Sequence, residues 1–281
     1  MKMETLPVRR IHIDSSYKDA GDSHSDFRIR LAQSVQMPDD CQMQVDNITI
    51  PNVFKTVSER NDSFYLGEYD TSTFLVVVRT VTLTHGYYNA LQFATELQTR
   101  LNAAKLASWP TNAYSVTYSQ GAVLVGAASP QTFVIMSDEQ IARYDGSSGI
   151  SAITQPNSAN AILRNESNGN IASNPQQYVV NNTYTSGYLQ LLSVLNVFIH
   201  SSLSDNCVMT PRGMSDCIAC CPCSSSVGEN IHHNVTSAGD AVNVSKRSFE
   251  SISFQLRNSK GDIVDLHGAS WSCSLLFVPK L

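Results

Sequence analysis

Alternation of apolar and polar side chains is the feature that most constrains how this chain folds. The segment 27–31 (FRIRL) places its apolar side chains on one face of a strand and its two arginines on the other. The segments 252–257 (ISFQLR) and 271–277 (WSCSLLF) repeat the pattern. A period of two puts successive side chains on opposite faces, so one face is buried and the other is solvated. Such half-buried strands are typical of antiparallel sheets.

Two segments depart from simple alternation. Residues 74–78 (FLVVV) are apolar throughout, which predicts a strand covered on both faces. In 43–50 (MQVDNITI) the apolar phase shifts between Val45 and Ile48. An extra residue in one strand restores the buried face after such a shift, so we predict a β-bulge or bend there.

One long segment, 89–106, has a helical period. Asn89 is placed to cap its first turn, with Gln92 three residues on as the partner in a capping box. A second, shorter helical turn is predicted at 137–144, with Ser137 as its cap. The predicted apolar stripe of the long helix consists of Ala90, Ala94, Leu97, Leu101 and Ala104.

The many short strands with one crossover helix predict an all-β protein, a single jelly-roll antiparallel β-sandwich. We expect one domain over 1–281, with an N-terminal arm at 1–10. The region 145–187 is rich in Gly, Asn, Pro and Ser. It is predicted to form a polar insertion or projecting loop.

Charge and composition limit the partners. Charged residues make up 15% of the chain and the formal net charge is −5, so no basic surface for nucleic acid is expected. No apolar run reaches the length of a membrane span, and no secretory signal is visible. The chain has seven cysteines, an odd count that, without a signal, argues for a reducing compartment.

Catalytic motifs are weak. His12, Asp14 and Ser15 are close in sequence, but neighbouring residues of a strand point to opposite faces, so a triad is not expected. The pair at 39–40 (DD) is interpreted as a turn, and 121–126 (GAVLVG) as a hairpin strand bounded by turns. We predict no enzyme, and we assign no catalytic, cofactor-binding or metal-binding residue.

The segment 217–223 (CIACCPC) leaves three interpretations open. In the first, 214–234 (MSDCIACCPCSSSVGENIHHN) forms a strand, a turn and a return strand, and its cysteines act as small core hydrophobes. Cys217, Ala219 and Cys221 then lie on one face of the first strand, and Ile218 and Cys220 on the other. A zinc site would use the C-x-x-C of Cys217 and Cys220 with Cys221, Cys223, His232 and His233. A disulfide or redox role is the third interpretation. Cys220 and Cys223 are the pair to examine for exposure, bound metal, or pairing with a cysteine such as Cys207.

Five segments, in order, resemble one known group of proteins. These are 10–31 (RIHIDSSYKDAGDSHSDFRIRL), 48–52 (ITIPN), 83–102 (LTHGYYNALQFATELQTRLN), 195–206 (LNVFIHSSLSDN) and 249–277 (FESISFQLRNSKGDIVDLHGASWSCSLLF). The group is the penton-like and minor capsid jelly-roll proteins of virophages, Maverick-type elements and large eukaryotic DNA viruses. The resemblance spans nearly the whole chain apart from 145–187. In it, 249–277 corresponds to a closing hairpin, and cysteines replace aliphatic residues of the strand at 217–223.

The resemblance implies a structural virion protein, a penton that self-assembles into homopentamers at icosahedral five-fold vertices. It implies contact with the major capsid protein, with a fibre or other vertex-associated protein as a further partner. Assembly would take place in the reducing cytoplasm or nucleus of the host cell. Two alternatives stay open. One is a trimeric fibre head or other minor capsid protein that binds a receptor or glycan. The other is a zinc-binding jelly-roll protein using 217–223.

Overall fold

The computed structural model describes residues 10–38, 40–144, 158–164, 181–204, 208–210, 213–234 and 241–279. The strands are β1 (Arg10–Asp14), β2 (Asp26–Gln36), β3 (Cys41–Pro51), β4 (Ser63–Asp70), β5 (Leu75–Thr82), β6 (Tyr114–Ser119), β7 (Ala122–Ala127), β8 (Phe133–Ile135), β9 (Thr183–Thr185), β10 (Asn196–Ser201), β11 (Val208–Thr210), β12 (Gly213–Ser215), β13 (Cys217–Pro222), β14 (Asn230–His233), β15 (Val242–Asn243), β16 (Ser248–Arg257) and β17 (Ser272–Pro279). The helices are α1 (Ala90–Ala104), α2 (Asp138–Tyr144) and α3 (Asn160–Leu163), and Ser15–Tyr17 form a 3-10 turn. All strand pairing between these strands is antiparallel, which confirms the predicted all-β class.

The described residues group into two compact units. The jelly-roll unit comprises those of Met1–Phe54 and Val194–Leu281, and the middle unit those of Lys55–Ser193. The predicted helix and the described parts of the predicted insertion, 158–164 and 181–187, therefore fall in a unit with its own core. The expected single domain over 1–281 stays a prediction. Residues 1–9 of the predicted arm and much of 145–187 lie outside the described residues.

The strand order of the jelly-roll unit defines its fold. One sheet has the order β1-β17-β3-β14, with β15 also paired to β3, and the other has the order β13-β10-β16-β2. Leaving aside β15 and the small hairpin β11–β12, successive strands alternate between the two sheets, except that β10 and β13 are neighbours in one sheet. This is the arrangement of an eight-stranded jelly roll. The jelly-roll prediction is confirmed.

The core of the jelly-roll unit is made by the alternation seen in the sequence. Phe27 and Ile29 on β2 are buried, whereas the arginines between and after them are exposed. The Phe27 ring stacks on Phe254 of β16 at 5.6 Å between centroids, and Trp271 meets both rings edge-on. Phe27 and Phe254 are cross-strand neighbours within one sheet, and Trp271, just before β17 of the other sheet, packs against both rings.

The predicted bulge is present in β3. Its register with β17 shifts between the pairs Ser272–Thr49 and Ser274–Asp46, and Asn47 adopts a positive φ of 50°. Val45 and Ile48 are both buried in spite of their odd spacing. The extra residue turns the second half of the strand so that both apolar sets face the same core.

Two predicted hairpins are corrected by the sheet order. The strands at 217–223 and 230–233 form, but β13 and β14 belong to different sheets. Likewise β16 and β17, interpreted as a closing hairpin, lie in opposite sheets. A strand's apolar pattern shows which face is buried, but the backbone groups that choose its neighbour are the same in every residue.

The middle unit packs α1 against two small sheets, β5-β4-β8 and β6-β7-β9. The predicted capping box is present, because Gln92 N–H donates to Asn89 Oδ1 at 2.9 Å and Asn89 N–H donates to Gln92 Oε1 at 3.0 Å. Ser137 and Gln140 cap α2 in the same reciprocal way, which confirms that shorter helix. The buried face of α1 is Phe93, Ala94, Leu97 and Leu101, so Phe93 joins the predicted stripe while Ala90 and Ala104 lie at its half-buried ends.

Strand β5 differs from its prediction. It is an edge strand, not a central one, and Phe74 precedes it in a turn, where its side chain is exposed. Val77 packs against the main core of the middle unit, and Val78 packs against a smaller cluster on the opposite face. Both faces therefore carry apolar contacts, but the strand stays half-buried because within the described residues it has a neighbour on one side only.

Candidate assembly surfaces

The three residues weighed as a triad do not converge. Ser15 is fully buried, and its Oγ lies 2.9 Å from His24 Nδ1. His12 Nδ1 instead lies 2.9 Å from Ser274 Oγ, and the Asp14 carboxylate accepts the backbone N–H two residues on. A nucleophile needs its base and an accessible position together. These residues hold the start of the jelly roll in place.

The strand β13 carries the cysteine cluster as an edge of its sheet. Cys221 pairs with Val197 and Ala219 with Ile199, but the register then shifts so that Cys217 pairs with His200. The bulge turns Ile218 into the core. Cys217, although buried, therefore faces the side of His200 and not that of Cys221, which corrects the predicted face.

The thiols of this strand differ in exposure. Cys221 and Cys223 are buried in the core, whereas Cys220 is exposed, so of the two thiols singled out for examination only Cys220 reaches the surface. Burial raises the pKa of Cys221 to about 12 and that of Cys223 to about 11. Thiols with such values stay protonated at neutral pH and are poor nucleophiles and poor metal ligands. Their chemistry favours the interpretation as small core hydrophobes.

The histidines weighed as zinc ligands lie on β14, in the other sheet. His232 Nδ1 lies 3.2 Å from Thr49 Oγ1. Across the described ranges, no three His, Cys, Asp or Glu side chains are arranged to hold a metal ion. Cys207 lies outside the described residues.

Two serine substitutions test the core interpretation of β13. Cys221→Ser places a hydroxyl in an apolar core and is expected to cost about 1–3 kcal/mol of unfolding free energy. Cys220→Ser, at an exposed position, is expected to change it by less than about 0.5 kcal/mol. Urea unfolding of both variants measures the difference. Zinc found at one equivalent in the native protein and lost with folding in Cys220→Ser would contradict the interpretation.

A polar cleft lies beside β2 in the jelly-roll unit. Its volume is about 830 Å³. Asp19 Oδ2 accepts from Arg30 Nε at 3.3 Å, and Asp22 Oδ2 accepts the backbone N–H of Arg28 at 2.9 Å. These two carboxylates hold the loop against the strand, so the cleft offers no convergent set of unused ligands.

The middle unit contains a buried carboxylate that the sequence analysis did not single out. Glu68 on β4 has no exposed surface. Tyr114 Oη donates to it at 2.7 Å, Leu106 N–H at 2.8 Å and Arg79 Nη1 at 3.0 Å. Burial nevertheless raises the pKa of Glu68 above its ordinary value. The carboxylate joins β4, β5, β6 and the segment after α1, which is a structural role.

The tip of the β4–β5 hairpin presents an aromatic side chain to solvent. Asp70 Oδ1 accepts from Ser72 N–H at 2.9 Å and from Ser72 Oγ at 2.7 Å, and Asp70 Oδ2 accepts from Thr73 Oγ1 at 3.2 Å. These bonds lower the pKa of Asp70. Phe74 follows at a φ of 59° with 75% of its surface exposed. A positive φ is unfavourable for a bulky residue, so the tip holds this ring outward against local strain.

Two edge strands of the middle unit, β6 and β5, differ in whether side chains occupy their free backbone groups. At β6, the amide of Asn102 on α1 bonds both the N–H and the C=O of Tyr114 at 3.0 Å, and Gln98 Oε1 accepts Val116 N–H at 2.8 Å. Helix side chains thus satisfy this edge. Within the described residues β5 pairs only with β4, and no side chain there caps its free side.

No helix in the described part of the chain is both long enough and apolar enough to cross a membrane. No protein-family model matches the sequence. No curated protein matches it.

Among solved structures, the chain is similar to the crystal structure of the selenomethionine-labelled mavirus penton protein. The TM-score is 0.56 and the sequence identity is 10%, over 96% of this chain and 99% of that chain. A match of this extent includes both compact units. The chain therefore shares the fold of the mavirus penton protein, which confirms the resemblance inferred from its sequence at the level of fold.

Proposed function

We propose that this chain is a penton protein, a structural capsid component that forms homopentamers at icosahedral vertices. The observation that carries the proposal is the similarity to the mavirus penton protein over 96% of this chain and 99% of that one. A jelly roll alone hosts many functions. Similarity that includes the middle unit as well is a more specific resemblance than a shared sandwich.

The mechanism we infer is geometric. A rigid sandwich presents different surfaces on its two sides, and heterologous contacts between them close into a ring when the rotation between neighbours is a fifth of a turn. Further surfaces would contact the major capsid protein and a fibre or other vertex-associated protein. The role would be structural, not catalytic.

The proposed location is the vertex of the virion, after assembly in the reducing cytoplasm or nucleus of the host cell. Among the cysteines in the described part of the chain no disulfide forms, and Cys273 and Cys221 lie in one core without a disulfide between them. Reduced thiols suit a protein that folds where disulfides are rare.

Counting subunits tests the proposal. We expect the purified full chain to form particles with the mass of five 30.8 kDa chains, and averaged electron micrographs to show five-fold symmetry. Mass photometry over a concentration series measures the first and negative-stain imaging the second. A stable trimer would favour the fibre-head alternative, and a chain that stays monomeric at every concentration would overturn the proposal.

A further inference from the structure

We infer that the β4–β5 hairpin is a contact between copies of this chain: a second copy adds a strand to the free edge of β5 and buries Phe74. The choice of a second copy as the partner rests on the proposed homo-oligomeric function. The location of the contact rests on the observations at this hairpin. The proposed contact has two parts, the edge strand Leu75–Thr82 and the hairpin tip at 70–74.

The first observation is that β5 lacks most of the devices that protect edge strands. Natural edges are blunted by short length, by Pro, by bulges, by charged side chains, including inward-pointing ones, or by a covering helix or loop. Helix α1 contacts β5, but the strand is neither short nor bulged and contains no Pro. β5 is eight residues long with the sequence LVVVRTVT. Its register with β4 is continuous over all eight pairs. Its one charged residue, Arg79, donates to Glu68 and to Ala104 O, so that charge is directed toward the protein.

The second observation is the contrast with β6 in the same unit. Asn102 and Gln98 of α1 occupy the hydrogen-bonding groups of that edge. In the sheet β5-β4-β8, β8 is the edge opposite β5. There the backbone of Phe133 is hydrogen-bonded to that of Asn181. The chain therefore closes these two edges with its own groups and leaves β5 open among the described residues. An open row of N–H and C=O groups is a template for another strand.

The third observation is Phe74, which stands at the start of the open edge. An exposed aromatic ring held by a hydrogen-bonded turn is a preorganised anchor, and aromatic anchors carry much of the energy of interfaces. Its positive φ argues against a purely structural role, since glycine would relieve the strain there without loss of a buried contact. The tip thus retains a residue that does not benefit the folding of the isolated chain.

The charges of β5 are compatible with a second copy as the partner. Because Arg79 is paired within the chain, β5 presents no unpaired charge that a second, uncharged strand edge would bury. The chain supplies one in β13, CIACCP, which is an edge of its sheet and carries no charge. A contact between two different surfaces of one chain is heterologous, and such contacts form a ring when the rotation between copies closes.

Three variants of the full chain test the inference. Thr80→Lys puts a charge on the open edge of β5 at an exposed position. Thr117→Lys makes the same change at an exposed position on β6, whose edge is already capped, and serves as the matched control. Phe74→Gly removes the ring and relieves the positive φ. Mass photometry gives the concentration at which each oligomer dissociates, and thermal unfolding at a concentration below it gives the stability of the separated chain.

We expect Thr80→Lys and Phe74→Gly each to raise the dissociation concentration by at least about tenfold, the effect of losing an interface hot spot. Thr117→Lys is expected to leave it unchanged. Phe74→Gly is also expected to raise the unfolding temperature of the separated chain, so its effects on folding and on association have opposite signs. A Phe74 that served folding alone would lower that temperature and leave association unchanged.

The outcomes separate this inference from the proposed function. If the wild-type chain is pentameric and Thr80→Lys dissociates no more readily than Thr117→Lys, the β5 contact is overturned while the penton proposal stands. If association is sensitive to Thr80→Lys but its product is not a pentamer, the contact stands and the penton proposal falls. A wild-type chain that never associates overturns both.

Discussion

Glu68→Ala is expected to destabilise the middle unit by about 3–5 kcal/mol, because it leaves the groups around a buried carboxylate without their acceptor. Tyr114 Oη and Leu106 N–H both donate to this side chain, and Arg79 pairs with it. Denaturant-dependent hydrogen exchange of peptides from β4 and β6 measures the loss where it occurs. Unchanged protection of these peptides would contradict the structural role of Glu68.

Tyr114→Phe is the matched control for that substitution. It removes one donor hydroxyl and retains the ring, which lies 5.1 Å from the Phe133 ring and 5.6 Å from the Trp109 ring. The expected cost is about 1.5–3 kcal/mol, the range for one hydrogen bond to a charged group. A cost equal to that of Glu68→Ala would place the energy in the tyrosine contact and not in the carboxylate network.

The pH dependence of stability should carry the signature of Glu68. A carboxyl whose pKa is raised in the folded state holds its proton more tightly there than when unfolded. Its contribution is therefore most favourable below the unfolded value near 4.5 and is lost as the pH rises through the native value. We expect the difference in unfolding free energy between wild type and Glu68→Gln to change across that window. A pH-independent difference would contradict the raised pKa.

Trp271→Ala is expected to cost the jelly-roll unit about 3–5 kcal/mol, the range for truncating a buried large aromatic residue. The indole packs edge-on against Phe27 and Phe254, and its Nε1–H donates to His24 O at 2.8 Å. Urea unfolding monitored by circular dichroism measures the loss. The chain has two tryptophans, so in this variant fluorescence reports on Trp109 in the middle unit alone.

Trp271→Phe serves as its control. The ring contact with Phe27 is retained in part and the indole hydrogen bond is lost, so the expected cost is smaller, about 1–2 kcal/mol. If both substitutions cost the same, the indole hydrogen bond and not the packing would be the main contribution of Trp271.

Local features were predictable because their physics is local. The capping box of Asn89 and Gln92 requires only two side chains three residues apart on one helix turn. The bulge between Val45 and Ile48 was visible because two apolar sets with an odd spacing cannot face one core without an extra residue. The inward faces of β2, β16 and β17 followed from strand periodicity.

The cysteine strand shows where the prediction failed. Strict alternation placed Cys217 with Cys221, but a bulge beside Ile218 changed its face. That bulge is set by pairing with β10, and nothing in 217–223 signals it, since cysteine and isoleucine are both acceptable on either face of a half-covered strand. Glu68 was missed for a related reason. Nothing in its own segment, 63–70 (SFYLGEYD), distinguishes it from a surface carboxylate, and its burial depends on Tyr114, Arg79 and the end of α1, which are distant in sequence.

The sequence by itself determined the strands, the main helix and the faces that they bury, because side-chain periodicity acts within one segment. It also carried the ordered motifs that predicted a jelly-roll capsid protein. Only the tertiary structure decided which strands are neighbours, that 217–222 and 230–233 belong to opposite sheets, and that Leu75–Thr82 is an open edge. The physical reason is that backbone hydrogen bonds select neighbours without regard to residue type. Edges, and therefore the contacts they offer, exist only in the assembled sheet.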